Sequence, residues 1–171
     1  IASCLVGSEM CIRDRIKNSV EILKKDEILL AVNKEHPVTK IMHPLEDSDN
    51  YWISLKEASE YKMIMSGYDT ILGSFSRKMF TEQKLKYQSD HNDISAAMAV
   101  SMAREGLGIA FTYQSCAEEY EDIRYLRIGK KGVFLDLGIA YPADEYQSKG
   151  AKELEKVIRE VYNNNEYFAL A

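Results

Sequence analysis

The sequence predicts an α/β domain built on a parallel or mixed sheet, on three observations. Ile28-Leu29-Leu30-Ala31-Val32 is a continuous apolar run, the pattern of a strand buried on both faces. Two later stretches, 61–79 and 84–102, each read as strand, polar loop and amphipathic helix. The chain has 171 residues and is 46% hydrophobic, enough for one ordinary domain with a core of its own.

Composition narrows the function classes. A formal net charge of −5 makes this chain by itself a poor binder of nucleic acid. No apolar run is long enough for a transmembrane helix, so no membrane association is expected. Three cysteines without metal-like spacing argue against a disulfide framework and against zinc, and a reducing cytoplasm is the simpler compartment.

Residues 1–15 do not read like the rest. The string Leu5-Val6-Gly7-Ser8-Glu9-Met10-Cys11-Ile12-Arg13-Asp14-Arg15 resembles translated sequencing-adaptor sequence, and a signal-peptide remnant is the weaker alternative because Glu9 and Asp14 interrupt it. On the adaptor reading the native chain begins well before Ile16. After a short approach segment, the strand at Ile28 ends at His36-Pro37, since proline lacks a donor and stiffens the chain. His36 reads as a turn residue beside that proline, with a ligand or switch role as the alternative. An acidic loop follows, then a short helix or turn through Leu55 and Ala58.

Tyr61-Lys62-Met63-Ile64-Met65 predicts a strand running into the loop Ser66-Gly67-Tyr68-Asp69-Thr70. The helix after it carries Ile71, Leu72, Phe75 and Met79 inward, with Arg77 as a solvated charge. Residues 84–89 predict the next strand, with Leu85, Tyr87 and Ser89 on one face. Asn92 and Asp93 then serve as helix N-caps, and Ile94, Ala97, Met98, Ser101 and Met102 form one helical face. Gly106 stands where a left-handed C-terminal residue is usual. Ile109-Ala110-Phe111 is a buried strand that Thr112 and Tyr113 close with hydroxyls.

Two readings of this unit are open. Its polar residues form a ligand site, since a helix N-terminus suits an anion and open α/β sheets bind ligands at strand ends. Alternatively they are ordinary caps. His91 with Asp93 lacks a third ligand at metal spacing, so no metal is expected. Ser115-Cys116-Ala117-Glu118 predicts a capping box opening another helix, with Cys116 as a small buried residue. Two strands flank the turn Gly129-Lys130-Lys131-Gly132, and Ser148 precedes a helix turning Leu154, Val157, Ile158 and Val161 to one face.

Asn92-Asp93 with Ala97, Val100 and Glu105-Gly106-Leu107-Gly108-Ile109-Ala110-Phe111 resembles the effector-binding domain of LysR-type transcriptional regulators. Glu27-Ile28-Leu29-Leu30-Ala31-Val32-Asn33-Lys34-Glu35-His36-Pro37 resembles that family's strand leading out of its first lobe, and Ser54-Leu55-Lys56-Glu57-Ala58 resembles another of its elements. The resemblance spans about Glu21 to Tyr162. It implies a type-2 periplasmic-binding-protein-like, two-lobed domain with the chain crossing between lobes near 33–40 and 128–135. On this expectation 1–15 is non-native, 16–40 is partial first lobe and crossover, and 41–126 is a complete second lobe. Residues 127–162 then form the return crossover and last helix of the first lobe, and 163–171 a tail.

The resemblance further implies a small-molecule effector between the lobes, held by Ser66, Tyr68, Asp69, Thr70, Asn92, Asp93, Thr112 and Tyr113. Asp69 departs from the family's donors: it repels an acidic effector, faces outward as the cap, or selects an amine or hydroxyl. DNA would be reached only through an N-terminal winged helix-turn-helix outside this chain, in a homo-oligomeric, cytoplasmic regulator. With half the cleft wall missing, this fragment alone is expected to bind effector poorly. A transporter's solute-binding protein is the alternative on the same fold. An enzyme is not expected, since no histidine–acid pair, metal cluster or nucleophile elbow is visible. No cofactor is expected either: Gly106-x-Gly108 lacks the third glycine of a dinucleotide fingerprint.

Overall fold

The computed structural model describes residues 20–46, 50–140 and 148–163. Two compact units divide the chain, one comprising Glu27–Phe134 and the other the segments before and after it. The larger unit is organised on β1 (Val20–Asn33), whose Ile28, Leu30, Ala31 and Val32 are fully buried. A 3-10 turn at Pro37–Lys40 follows, then β2 (His43–Pro44), β3 (Tyr51–Ile53) and the single turn α1 (Leu55–Ala58). Next come β4 (Lys62–Ser66), α2 (Ile71–Glu82), β5 (Gln88–Ile94), α3 (Ala96–Arg104), β6 (Ile109–Tyr113) and β7 (Ile123–Ile128). Their order in the sheet is β2-β3-β7-β1-β6-β4-β5. β1 is antiparallel to both its neighbours, β6 and β7, whereas β4 is parallel to both β5 and β6. The expected mixed sheet, with a strand buried on both faces at its centre, is what forms.

The helices close by side-chain and backbone caps. In α1, Ser54 and Glu57 make a reciprocal capping box: Ser54 Oγ accepts from Glu57 N–H, and the Ser54 N–H donates to Glu57 Oε2 at 3.0 Å. That hydroxyl, ahead of the neighbouring His43, holds the Glu57 carboxyl below its usual range. At the end of α3 the Leu107 N–H reaches the Met102 carbonyl and the Gly106 N–H reaches Ala103, a Schellman closure with Gly106 at φ +78°. The end of α2 closes identically, but Lys84, not glycine, holds the left-handed position at φ +54°.

Several sequence expectations are corrected. Asn92 and Asp93 do not cap a helix: β5 runs through both, and Ser95 is the cap, accepting from the Met98 N–H at 3.4 Å. β5 begins at Gln88 rather than Lys84, because residues 83–85 are used in closing α2. It is also bulged, with Lys62, Ile64 and Ser66 facing Gln88, His91 and Ile94. Bulges and polar side chains are how an edge strand avoids pairing with another chain, so the polarity that suggested caps belongs to an edge. The face of α3 is displaced as well: Ala99 and Ala103 are buried against Ile64 and Ala110, and Met98 is exposed. Small residues there let the helix lie close on β4 and β6.

The predicted helix after Ser115 is a 3-10 turn, Gln114–Cys116, and Cys116 is exposed. Glu118, Glu119, Glu121 and Asp122 follow in close succession, and helical spacing there would bring like charges together. In place of a helix, Arg104 forks onto both oxygens of Asp122, and Tyr120 covers its guanidinium at 3.9 Å.

The other unit contains the start of β1, β8 (Phe134–Ala140), which pairs with it, and α4 (Lys149–Asn163). Arg159 binds Glu21 through two nitrogens, 2.6 Å each. The apolar stripe of α4 is not buried: Leu154, Val157 and Val161 are 48%, 53% and 42% exposed. Pro142, expected to stop the last strand, lies outside the described residues.

Candidate functional site

Three neighbouring strands, β5, β4 and β6, run parallel, so their carboxyl ends open on one side of the sheet. All eight candidate residues lie at or just beyond those ends. Ser66 ends β4, and Tyr68, Asp69 and Thr70 form the loop to α2. Asn92 and Asp93 are near the end of β5, three and two residues before the α3 cap, and Thr112 and Tyr113 end β6. Carboxyl ends of parallel strands are where open α/β sheets bind ligands.

Alternation along the strands sorts these residues by face. Ile64 and Ala110 pack on Ala99 and Ala103 of α3. Ser66 and Thr112 are each two residues further along the same strands and share that face. Ser66 is 4% exposed and Thr112 2% exposed. The Ser66 Oγ has no hydrogen-bond partner among the described residues. A buried hydroxyl left unpaired costs about 1–3 kcal/mol, so its presence asks for an explanation.

The loop after Ser66 is tightly built. Thr70 caps α2, accepting from the Gly73 N–H at 3.0 Å and donating to the Gly67 carbonyl at 2.8 Å. A Cβ on Gly73 would stand 2.0 Å from the Gly67 carbonyl oxygen, so only glycine lets the first turn of α2 close on the loop. Thr70 therefore serves the cap with its hydroxyl. Tyr68 is 69% exposed, and Asp69 and Asp93 are exposed too. Both carboxylates turn to one point: a Cβ on Gly67 would lie 2.7 Å from Asp69 Oδ1 and 2.6 Å from Asp93 Oδ1.

Arg77 is the residue that sequence reasoning misplaced. It is not a solvated charge. Nη1 donates to the Ser66 carbonyl at 2.7 Å and to Gly73 at 2.8 Å, and Nη2 donates to the Asn92 carbonyl at 2.8 Å. Its guanidinium lies 3.7 Å from the centre of the Tyr68 ring. Nothing in its spacing marks it, since an arginine on a helix is usually solvated. The nearest signal is Gly73 one turn earlier, a glycine inside a helix that marks close backbone approach.

The fold defines a class: an α/β domain whose loops converge at the carboxyl ends of parallel strands. The LysR substrate binding domain family matches residues 17–163, and the chain belongs to that family. Its fold is the type-2 periplasmic-binding-protein-like α/β fold with two lobes. The chain is similar to the Synechocystis PCC6803 CcmR regulatory domain solved in complex with 2-PG, with a TM-score of 0.70 at 14% identity, over 88% of this chain and 70% of that one. It is also similar to the effector binding domain of QuiR in complex with shikimate, with a TM-score of 0.67, 15% identity, and 89% and 68% of the two chains covered. The effector binding domain of BenM with its effector benzoate gives a TM-score of 0.65 at 14% identity, covering 88% and 65%. At such identities these likenesses concern the fold. No curated protein matches.

Proposed function

We propose that this chain is the sensing part of a LysR-type transcriptional regulator, and that a small-molecule effector binds at the carboxyl ends of β4, β5 and β6. The observation that carries this reading is Ser66, a buried hydroxyl without a partner at the end of the central parallel strand. An effector oxygen supplies the missing bond. Thr112 lies on the same face, and Ser95 caps α3 with a long bond, so its first N–H groups remain suited to an anion. Thr70, Tyr113 and Asn92 frame the site, and Tyr68 with Asp69 and Asp93 forms its exposed rim. The role is sensing, not catalysis.

In the proposed regulator, 41–126 is the second lobe, and 16–40 with 127–162 belongs to the first. DNA is contacted by a separate winged helix-turn-helix in a cytoplasmic homo-oligomer, and effector binding shifts the population of its conformations. Among the described residues no helix is long and apolar enough to cross a membrane.

The test is a two-dimensional NMR titration of the chain with benzoate and shikimate. Shifts should concentrate at 66–70, 92–98 and 112–113 and weaken in Ser66→Val. Perturbations centred elsewhere, or a Ser66→Val protein that responds like wild type, would sink this placement.

A further inference from the structure

We infer that Arg77 is the positioning residue of the effector site, tying the two effector loops to each other through their backbone carbonyls. The inference rests on reading 66–70 and 92–95 as those loops. One guanidinium reaches three acceptors on three segments: Ser66 at the end of β4, Gly73 in the first turn of α2, and Asn92 near the end of β5. Bonds from a charged donor are about twice as strong as neutral ones. β5 is an edge strand, paired on one side by β4 in an irregular register. Arg77 adds a bond there from outside the ladder.

Two further features fit a clamp rather than a surface charge. Arg77 forms no ion pair among the described residues, so its charge is directed entirely at carbonyl dipoles and at an aromatic face. Its Nε is buried and unpartnered. Tyr68 lies over the guanidinium, and because Tyr68 belongs to the first loop, the stacked ring closes the clamp on itself. Displacement of the 66–70 loop by an effector must therefore be felt at Asn92, and a shift at Asn92 must be felt at Ser66. Lysine cannot replace this arrangement, since one ammonium has no planar fork with which to span carbonyls on separate strands.

The test needs no effector, so it is independent of whether effector binding itself is found. Amide hydrogen exchange is measured on the full chain for wild type, Arg77→Lys and Tyr68→Phe. Arg77→Lys should raise exchange at least about tenfold in both 67–70 and 92–95, the loss expected for a charge-assisted bond, while β1 and β7 keep wild-type protection. Tyr68→Phe, which keeps the ring, should match wild type. Wild-type exchange in either loop of Arg77→Lys overturns the inference, and so does a uniform rise across the sheet, which would mark a merely structural arginine. Should Arg77→Lys fail to fold, the wild-type protein still decides. Scalar couplings through the hydrogen bonds from the Arg77 guanidinium to the Ser66 and Asn92 carbonyl carbons should both be present, and the absence of either refutes the clamp.

Discussion

At the scale of single residues, a polar group's value depends on whether it has a partner. Ser66 and Ser54 are both serines near a helix start, and truncating them should have opposite effects. Ser66→Ala removes an unpaired buried hydroxyl and should raise stability by about 1 kcal/mol. Ser54→Ala removes a reciprocal cap and should cost about 1 kcal/mol. Urea denaturation of the two variants measures both signs. His36 gives a pH prediction. Its Nδ1 accepts from the Val38 N–H at 3.2 Å, which requires the unprotonated ring, and burial holds its pKa below the usual value. The folded pKa is thus below the unfolded value of about 6.5. This contribution is present above the unfolded pKa and is lost as pH falls through the folded one. Stability should therefore decline as pH falls below the unfolded value of about 6.5 and on through the lowered folded pKa, and His36→Asn, which caps without titrating, should remove that part of the decline. The candidate residues were legible in sequence as polar groups at strand ends. Arg77 was not, because its partners are carbonyls on other segments, and carbonyls have no sequence signature.

At the scale of elements, strand and helix identity follows from periodicity, while boundaries follow from backbone closure that periodicity does not see. The helix α2 was visible in Leu72 and Met79. Its end was not, because the residue in the left-handed position is Lys84. Lys84→Gly should therefore stabilise the chain by about 1 kcal/mol by relieving that backbone strain, without altering α2 in the circular dichroism spectrum. Gly106→Ala should cost a similar amount for the reciprocal reason: nothing lies within 4 Å of an added Cβ, so the cost is purely that of the φ angle. The misplacement of α3 has a comparable origin. Ser95 caps it, but Asn92 and Asp93 have the same cap chemistry three and two residues earlier. Only the pairing of β5 with β4 decides between them, and pairing is a non-local fact.

At the scale of the whole molecule, the mixed sheet was legible in one apolar run and two strand–loop–helix units, since both reflect burial. The exposed stripe of α4 was illegible, because periodicity reports which face is apolar and not whether anything covers it. Near the start of the larger unit a buried carboxylate is paired with a partly exposed arginine. Glu27 is 3% exposed, and Arg127 approaches it at 2.6 and 2.9 Å. Arg127→Ala should cost about 3 kcal/mol by stranding that carboxylate, and Arg127→Lys should cost less, as chemical denaturation would register.

The place of β1 has a consequence for synthesis. Leu29 pairs with Thr112 on one side and Arg127 on the other, so this strand is completed only after partners far later in the chain have been made. β4, β5 and β6 pair over much shorter separations and can assemble first, whereas Ile28-Leu29-Leu30-Ala31-Val32 waits as a bare apolar segment until about a hundred further residues are made, some five to twenty seconds at usual elongation rates. For that interval the centre of the finished sheet is the most aggregation-prone stretch of the nascent chain, and the segment a holding chaperone would be best placed to cover.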